Sequence, residues 1–119
     1  MMDDHDPGLD LLLDLDGETF IAAGAYRVSF VVKQVPPSPE RPHGLSYSLT
    51  LHDETGARVV GFDNAHAAPT KKGRARPVVQ DHRHRLRTIQ PYAYRDAATL
   101  LADFWAEVLA VLNEKGVLP

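Results

Sequence analysis

Residues 45–63 contain the pattern that most restricts how this chain can fold. The segment "LSYSLTLH" (45–52) alternates apolar and polar side chains, which is the two-residue period of a strand with one buried face. The turn sequence "DETG" follows at 53–56, and its glycine can take the positive φ that tight hairpin turns require. "ARVVGFDN" then has the pattern of the return strand and ends in Asp63 and Asn64. An antiparallel hairpin is therefore predicted.

A long helix is predicted after Asp96, whose carboxylate suits the N-cap position. Apolar side chains then recur at spacings of three and four, at Leu100, Phe104, Val108, Val111 and Leu112. The cation Lys115 and then Gly116 close the helix in the usual order. The wide apolar side of this helix has to pack on the inner face of the strands.

Residues 26–35 also alternate, and the four prolines of "PPSPERPHG" end that strand. Residues 9–20 contain a short apolar run before a DG turn, which fits either a strand or a single helical turn. The fold predicted from these segments is α+β: an antiparallel β-sheet meander with one long C-terminal helix packed across one face.

The length of 119 residues predicts one domain, residues 9–119, behind a flexible acidic tail at 1–8. The chain has no cysteine, which excludes disulfides and thiolate catalysis. It also lacks a secretory signal pattern and any apolar run of about 20 residues, the length of a membrane helix. We expect a cytoplasmic protein with no membrane contact.

Positive charge is concentrated in residues 71–87. Seven of the thirteen basic residues fall there against one aspartate, so the local charge is +6 in a chain of net charge -3. The seven are Lys71, Lys72, Arg74, Arg76, Arg83, Arg85 and Arg87. Such a cluster gains free energy from an external polyanion by counterion release, and nucleic acid is the commonest polyanion. A solvated basic surface is the simpler alternative.

Residues 78–89, "VVQDHRHRLRTI", alternate again and predict one more strand. His82, His84 and Thr88 would share one face, and Arg83 and Arg85 would share the other. Side chains two apart on a strand lie close enough for both imidazoles to bind one phosphate or one metal ion. An isolated pair of this kind is more often only a polar surface.

Asp63 and His66 end one predicted strand, and His82 and His84 begin the next. A hairpin would bring all four to the same end of the sheet. Imidazoles exchange protons near neutral pH, so His82 and His84 could act as general base and general acid without a cofactor. Arg85, or a cation of the basic loop, would stabilise the developing charge, and Asp63 would orient one ring and fix its tautomer. Alternatively, Asp63, His66, His82 and His84 could bind a divalent metal such as zinc or manganese.

The run "GLSYSLTLHDETGARVVGFDNAHA", followed by a basic loop and "DHRHR", resembles the TumE-type toxin family of bacterial type II toxin–antitoxin modules over roughly residues 9–113. Asp63, Asn64 and His66 fall on the family's "DNAH" element, and His82 and His84 fall on its "HH-x-H" element. The chain departs from the family at Asp81, where a histidine is common. The resemblance implies a growth-inhibiting protein with RNA-directed activity, held in check by a helix-turn-helix antitoxin.

Together these observations predict a toxin that acts on RNA, with an endoribonuclease site at Asp63, His66, His82, His84 and Arg85. Phosphate contacts are expected from Lys71, Lys72, Arg74, Arg76, Arg83 and Arg87. The alternative is a non-catalytic module that binds nucleic acid or a protein partner through the 71–87 patch. The acidic segment 3–18 could itself dock on a basic surface, and open sheet edges would allow a homodimer.

Overall fold

The computed structural model of the protein describes residues 6–39, 43–64, 81–85 and 88–117. In these ranges the elements are α1 (Leu9–Asp14), β1 (Thr19–Ala23), β2 (Tyr26–Gln34), β3 (Leu45–His52), β4 (Arg58–Asp63), β5 (His82–Arg85), β6 (Thr88–Pro91) and α2 (Ala97–Glu114). The six strands described form one sheet in chain order, and all neighbouring pairs are antiparallel. The predicted α+β meander with a long C-terminal helix is confirmed.

The hydrophobic core lies between the sheet and the two helices. Phe104 of α2 packs edge-on against Phe30 of β2 and Phe62 of β4, with ring centroids 5.7 and 6.0 Å away. All three rings are buried, and Leu12 of α1 is buried in the same core. The alternation read in the sequence therefore places the apolar side chains of β2, β3 and β4 toward the helices. We call this side of the sheet the helix face.

The turn of the predicted hairpin and the start of α2 agree with the sequence. Gly56 closes the β3–β4 turn at φ 88°, and Asp53 accepts the backbone N–H of Thr55 at 2.9 Å. Asp96 caps α2 by accepting the backbone N–H of Thr99 at 2.7 Å. These local signals were sufficient because each is made within a few residues of chain.

The sequence left open whether residues 9–20 contain a strand or a helical turn, and the structure shows one of each. Residues 9–14 form a helix, and residues 19–23 form an edge strand that the sequence did not predict. Of the predicted tail, residues 1–5 lie outside the described part of the chain. Asp6 accepts hydrogen bonds from the Ala97 backbone N–H at 2.6 Å and from the Tyr94 hydroxyl.

One face assignment from the sequence is wrong. Residues 82–85 and 88–91 form two antiparallel strands, β5 and β6, where a single strand was predicted. Thr88 therefore pairs with Arg85 and lies on its side of the sheet, although the alternation had placed Thr88 with His84. The chain reverses between the two strands, and a period-2 pattern carries no information about such a reversal.

Candidate functional site

Strands β4 and β5 bring three of the predicted site residues together. Asp63 pairs with His82, and Gly61 pairs with His84, in the register of these two antiparallel strands. Phe62 and Arg83, the pair between them, lie on the helix face. Since side chains alternate along a strand, Asp63, His82 and His84 project from the opposite side. We call that side the histidine face and the three residues the His–Asp cluster.

A single carboxylate contacts both imidazoles. Oδ2 of Asp63 lies 3.1 Å from Nε2 of His84, and Oδ1 lies 3.8 Å from Nδ1 of His82. The two imidazole centroids are 6.3 Å apart. The side chain of Asp63 is 11% exposed, whereas that of His82 is 24% exposed. The cluster therefore combines a largely buried carboxylate with a histidine that solvent or a ligand can reach.

Arg58, at the start of β4, completes the cluster, and sequence reasoning missed it. Its Nη2 lies 3.2 Å from Nδ1 of His84, and its Nη1 lies 3.9 Å from Oδ2 of Asp63. Its side chain crosses Gly61, a glycine inside an apolar strand. A glycine at such a position often marks the close approach of another group, and this was the only signal for the contact in the sequence.

The contacts of His84 define its tautomer. A guanidinium only donates hydrogen bonds, so Nδ1 of His84 must accept from Arg58. The ring proton then lies on Nε2, which donates to Asp63. Burial, and after it the positive charge of Arg58, lowers the pKa of His84. At neutral pH the ring is therefore uncharged, with its lone pair on Nδ1.

Arg83 and Arg85 lie on the helix face, away from the His–Asp cluster. Arg83 donates to Gln90 at 2.5 Å, and Arg85 forms an ion pair with Glu107 at 3.6 Å and a hydrogen bond with Glu114. They line a cavity of about 190 Å³ between β5, β6 and α2. The structure therefore does not bring Arg85, predicted to be catalytic, to the imidazoles, and Arg83 and Arg85 are neutralised by carboxylates of α2.

The remaining predicted residues fall outside the described part of the chain. These are His66 and the basic residues Lys71, Lys72, Arg74, Arg76 and Arg87. Within the described ranges, no group of three or more His, Asp or Glu side chains has the arrangement of a metal site. The metal alternative included His66, so it stays a prediction.

Asp81, the position where the resemblance led us to expect a histidine, does not belong to the His–Asp cluster. Its carboxylate is buried and accepts a 2.6 Å hydrogen bond from the Tyr47 hydroxyl, next to the core. Burial raises the pKa of Asp81, and the bond from Tyr47 partly offsets this. The departure from the family pattern therefore leaves the contacts among Asp63, His82 and His84 in place.

The hydrogen bond between Tyr47 and Asp81 should make the free energy of unfolding depend on pH. Because the pKa of Asp81 is higher in the folded protein, the folded state binds more protons, and the free energy of unfolding falls as pH rises above the ordinary aspartate value of 3.8. Tyr47→Phe removes the hydroxyl that lowers this pKa. We expect an added loss of about 1–3 kcal/mol at neutral pH and less at pH 4.

Urea unfolding from pH 4 to pH 8 measures this effect. Tyr26→Phe is the control, because within the described residues the Tyr26 hydroxyl donates to no carboxylate. A Tyr47→Phe penalty that stays constant over this range would contradict the assignment.

The fold and the cluster together define a small α+β protein that carries two histidines, an aspartate and an arginine on the sheet face opposite its helices. Residues 14–112 match the family described as Toxin TumE, which is most of the chain. The protein therefore belongs to the TumE toxin family, and the resemblance predicted from the sequence is confirmed. Membership of a toxin family implies an antitoxin partner. Comparisons with curated proteins and with solved structures give no match.

No helix in the described ranges is both long enough and apolar enough to cross a bilayer.

Proposed function

We propose that the protein is an RNA-directed toxin that cleaves RNA in the cytoplasm as an endoribonuclease, under the control of a helix-turn-helix antitoxin. The observation that carries this proposal is the shared carboxylate: Asp63 contacts His84 at 3.1 Å and His82 at 3.8 Å. A carboxylate beside an imidazole fixes its tautomer and orientation, as in catalytic triads. Asp63 makes this hydrogen bond with His84, and the same carboxylate lies 3.8 Å from His82, close enough for its charge to act on that imidazole.

RNA phosphodiester cleavage needs two proton transfers. One imidazole takes the proton of the 2'-hydroxyl as the 2'-oxygen bonds to phosphorus, and the other gives a proton to the departing 5'-oxygen. The products are a 2',3'-cyclic phosphate and a 5'-hydroxyl. The centroid separation of 6.3 Å allows one phosphate to reach both rings. This route needs no metal ion.

Arg58 takes the role that the sequence had suggested for Arg85. A transferring phosphate gains negative charge on its outer oxygens, and a guanidinium at hydrogen-bond distance stabilises that charge. Arg58 is already 3.2 Å from His84 on the histidine face, and its side chain is 43% exposed. It can therefore reach a phosphate bound between the imidazoles, whereas Arg85 is held by Glu107 and Glu114.

A labelled RNA tests the proposal against the non-catalytic alternative. His82→Ala should slow cleavage by about 10²-fold or more and leave binding within about twofold, because His82 is the more exposed imidazole and does not belong to the hydrophobic core. Chelation with EDTA should leave the wild-type rate unchanged. A rate that EDTA abolishes and added zinc or manganese restores would instead identify the metal variant.

Neutralising Lys71, Lys72, Arg74 and Arg76 gives the matched comparison, because it should weaken RNA binding and its salt dependence without altering the bound-state cleavage rate. If the wild-type protein binds RNA through these residues but leaves it intact under all conditions, the protein is a binding module, not a nuclease.

A further inference from the structure

Because Gly61 has no side chain, it leaves room on the histidine face for the side chain of Arg58 to lie against β4. A Cβ atom built on Gly61 would lie 3.1 Å from Cδ of Arg58, 3.4 Å from Nε and 3.6 Å from Nη1. The side chain of Arg58 therefore lies flat on the strand at the one position of β4 that has no side chain. This path directs the guanidinium to His84.

The resting contacts of Arg58 are weak for a guanidinium. Its hydrogen bond goes to the neutral Nδ1 of His84 at 3.2 Å, and Asp63 is 3.9 Å away, beyond hydrogen-bond distance. A guanidinium binds most strongly to an anion that accepts two parallel hydrogen bonds, as a phosphate does. A phosphate near the cluster therefore offers Arg58 a better partner than the imidazole it now contacts.

We propose that Arg58 caps the Nδ1 lone pair of His84 in the free protein and transfers to a phosphate group when one binds, so that the same event uncovers the proton acceptor. The ligand class is a phosphate monoester or diester. A ligand that binds only the transferred position of Arg58 shifts the population toward it.

The proposal rests on the proposed function for one point, that the phosphate belongs to RNA. In that case His84 is the general base, taking the 2'-hydroxyl proton on Nδ1 while Nε2–H stays on Asp63. His82 is then the acid toward the 5'-oxygen. The base would be exposed only when a phosphate occupies the site, which protects the imidazole from unproductive contacts in the free protein.

Nitrogen NMR of the imidazoles at one neutral pH, with inorganic phosphate as the probe, tests the cap without any RNA. In the wild type, phosphate should shift the Nδ1 signal of His84 and the guanidinium signals of Arg58 together. In Arg58→Gln, phosphate should bind about 10- to 100-fold more weakly, as expected for loss of hydrogen bonds to a charged group. Arg27→Gln removes another exposed cation of the histidine face and should bind phosphate as the wild type does.

Substitutions at Gly61 give a graded second readout. Gly61→Ala needs a movement of a few tenths of an ångström at Arg58, and Gly61→Val, which suits a strand, should displace the guanidinium further. The phosphate-free Nδ1 signal should move toward the phosphate-bound position in the order glycine, alanine, valine. An unchanged signal in both variants, or wild-type phosphate affinity in Arg58→Gln, overturns the cap.

The two proposals fail separately. Coupled phosphate shifts in a protein that never cleaves RNA would keep the cap and remove the nuclease. RNA cleavage by a protein in which phosphate shifts neither the His84 nor the Arg58 signals would keep the nuclease and remove the cap.

Discussion

Asp63→Asn should slow RNA cleavage by about 10³- to 10⁴-fold while the protein stays folded. Asp63 accepts the Nε2–H of His84, and its other oxygen lies 3.8 Å from Nδ1 of His82, so the substitution affects both imidazoles at once. An amide of the same shape can present its NH2 group to Nε2, which would then have to accept. The proton would move to Nδ1, the nitrogen that must be unprotonated to act as base.

Single-turnover cleavage of a labelled RNA measures this effect, with urea unfolding as a check on the fold. Asp10→Asn is the matched control, because Asp10 is an exposed carboxylate of α1 and its loss changes the net charge equally. A folded Asp63→Asn protein that cleaves RNA within about tenfold of the wild-type rate would remove Asp63 from the mechanism, since general acid–base catalysis alone contributes more than that.

The sequence predicted the sheet and α2 because their signals are local and repeat. Residues 45–52 alternate over their whole length, and the structure buries every second side chain there. The reversal between β5 and β6 was missed for the opposite reason. The sequence from His84 to Ile89 has none of the glycine, proline, asparagine or aspartate residues that usually mark a tight turn, so the alternation looked continuous.

The sequence could not show which face of β5 meets α2, because tertiary contacts decide this. Alternation correctly placed Arg83 and Arg85 on one face and His82 and His84 on the other, but it could not say which face meets the helix. An uncharged imidazole costs less free energy to bury than a guanidinium, which favours the histidines for the face that meets the helix. The carboxylates of Glu107 and Glu114 on α2 reverse that preference by pairing with Arg83 and Arg85.

The pairing of Arg83 and Arg85 with α2 also reduces the positive charge that residues 71–87 can offer to a ligand. Counting residues 71–87 gives a local charge of +6, but Arg83 and Arg85 are bound to carboxylates that lie about 20 or more residues further along the chain. A charge summed over a stretch of sequence does not show which of its cations are paired with carboxylates elsewhere in the fold. Among the described residues, Arg58, which lies outside that stretch, is a cation that contacts the imidazole of His84.

Asn64 stands beside Asp63 in the family element, and its role is structural. Its side chain accepts the Tyr47 backbone N–H at 2.9 Å and donates to the Leu45 carbonyl at 2.5 Å. Ser48 and Asp63 form the last register pair of β3 and β4, so the amide continues the pairing past the end of the strand. Asn64 is only 3% exposed, and water cannot replace these bonds.

Asn64→Ala leaves two buried backbone groups without their partner, the Tyr47 N–H and the Leu45 carbonyl. It should therefore lower the free energy of unfolding by about 1–3 kcal/mol for each of them. Urea unfolding measures the loss. The control is Asn113→Ala, because Asn113 lies on the exposed side of α2 and should change stability by about 0.5 kcal/mol or less.

Asn64→Ala also tests whether Asn64 and Asp63 have different roles. Asn64 faces the strands, and Asp63 faces the imidazoles, so Asn64→Ala protein that is kept folded at low temperature should cleave RNA at close to the wild-type rate. A loss as large as that of Asp63→Asn under those conditions would mean that the amide holds the reactive geometry itself. An unfolding free energy equal to that of Asn113→Ala would mean that Leu45 and Tyr47 find other partners, and that the strand end needs no side chain to close it.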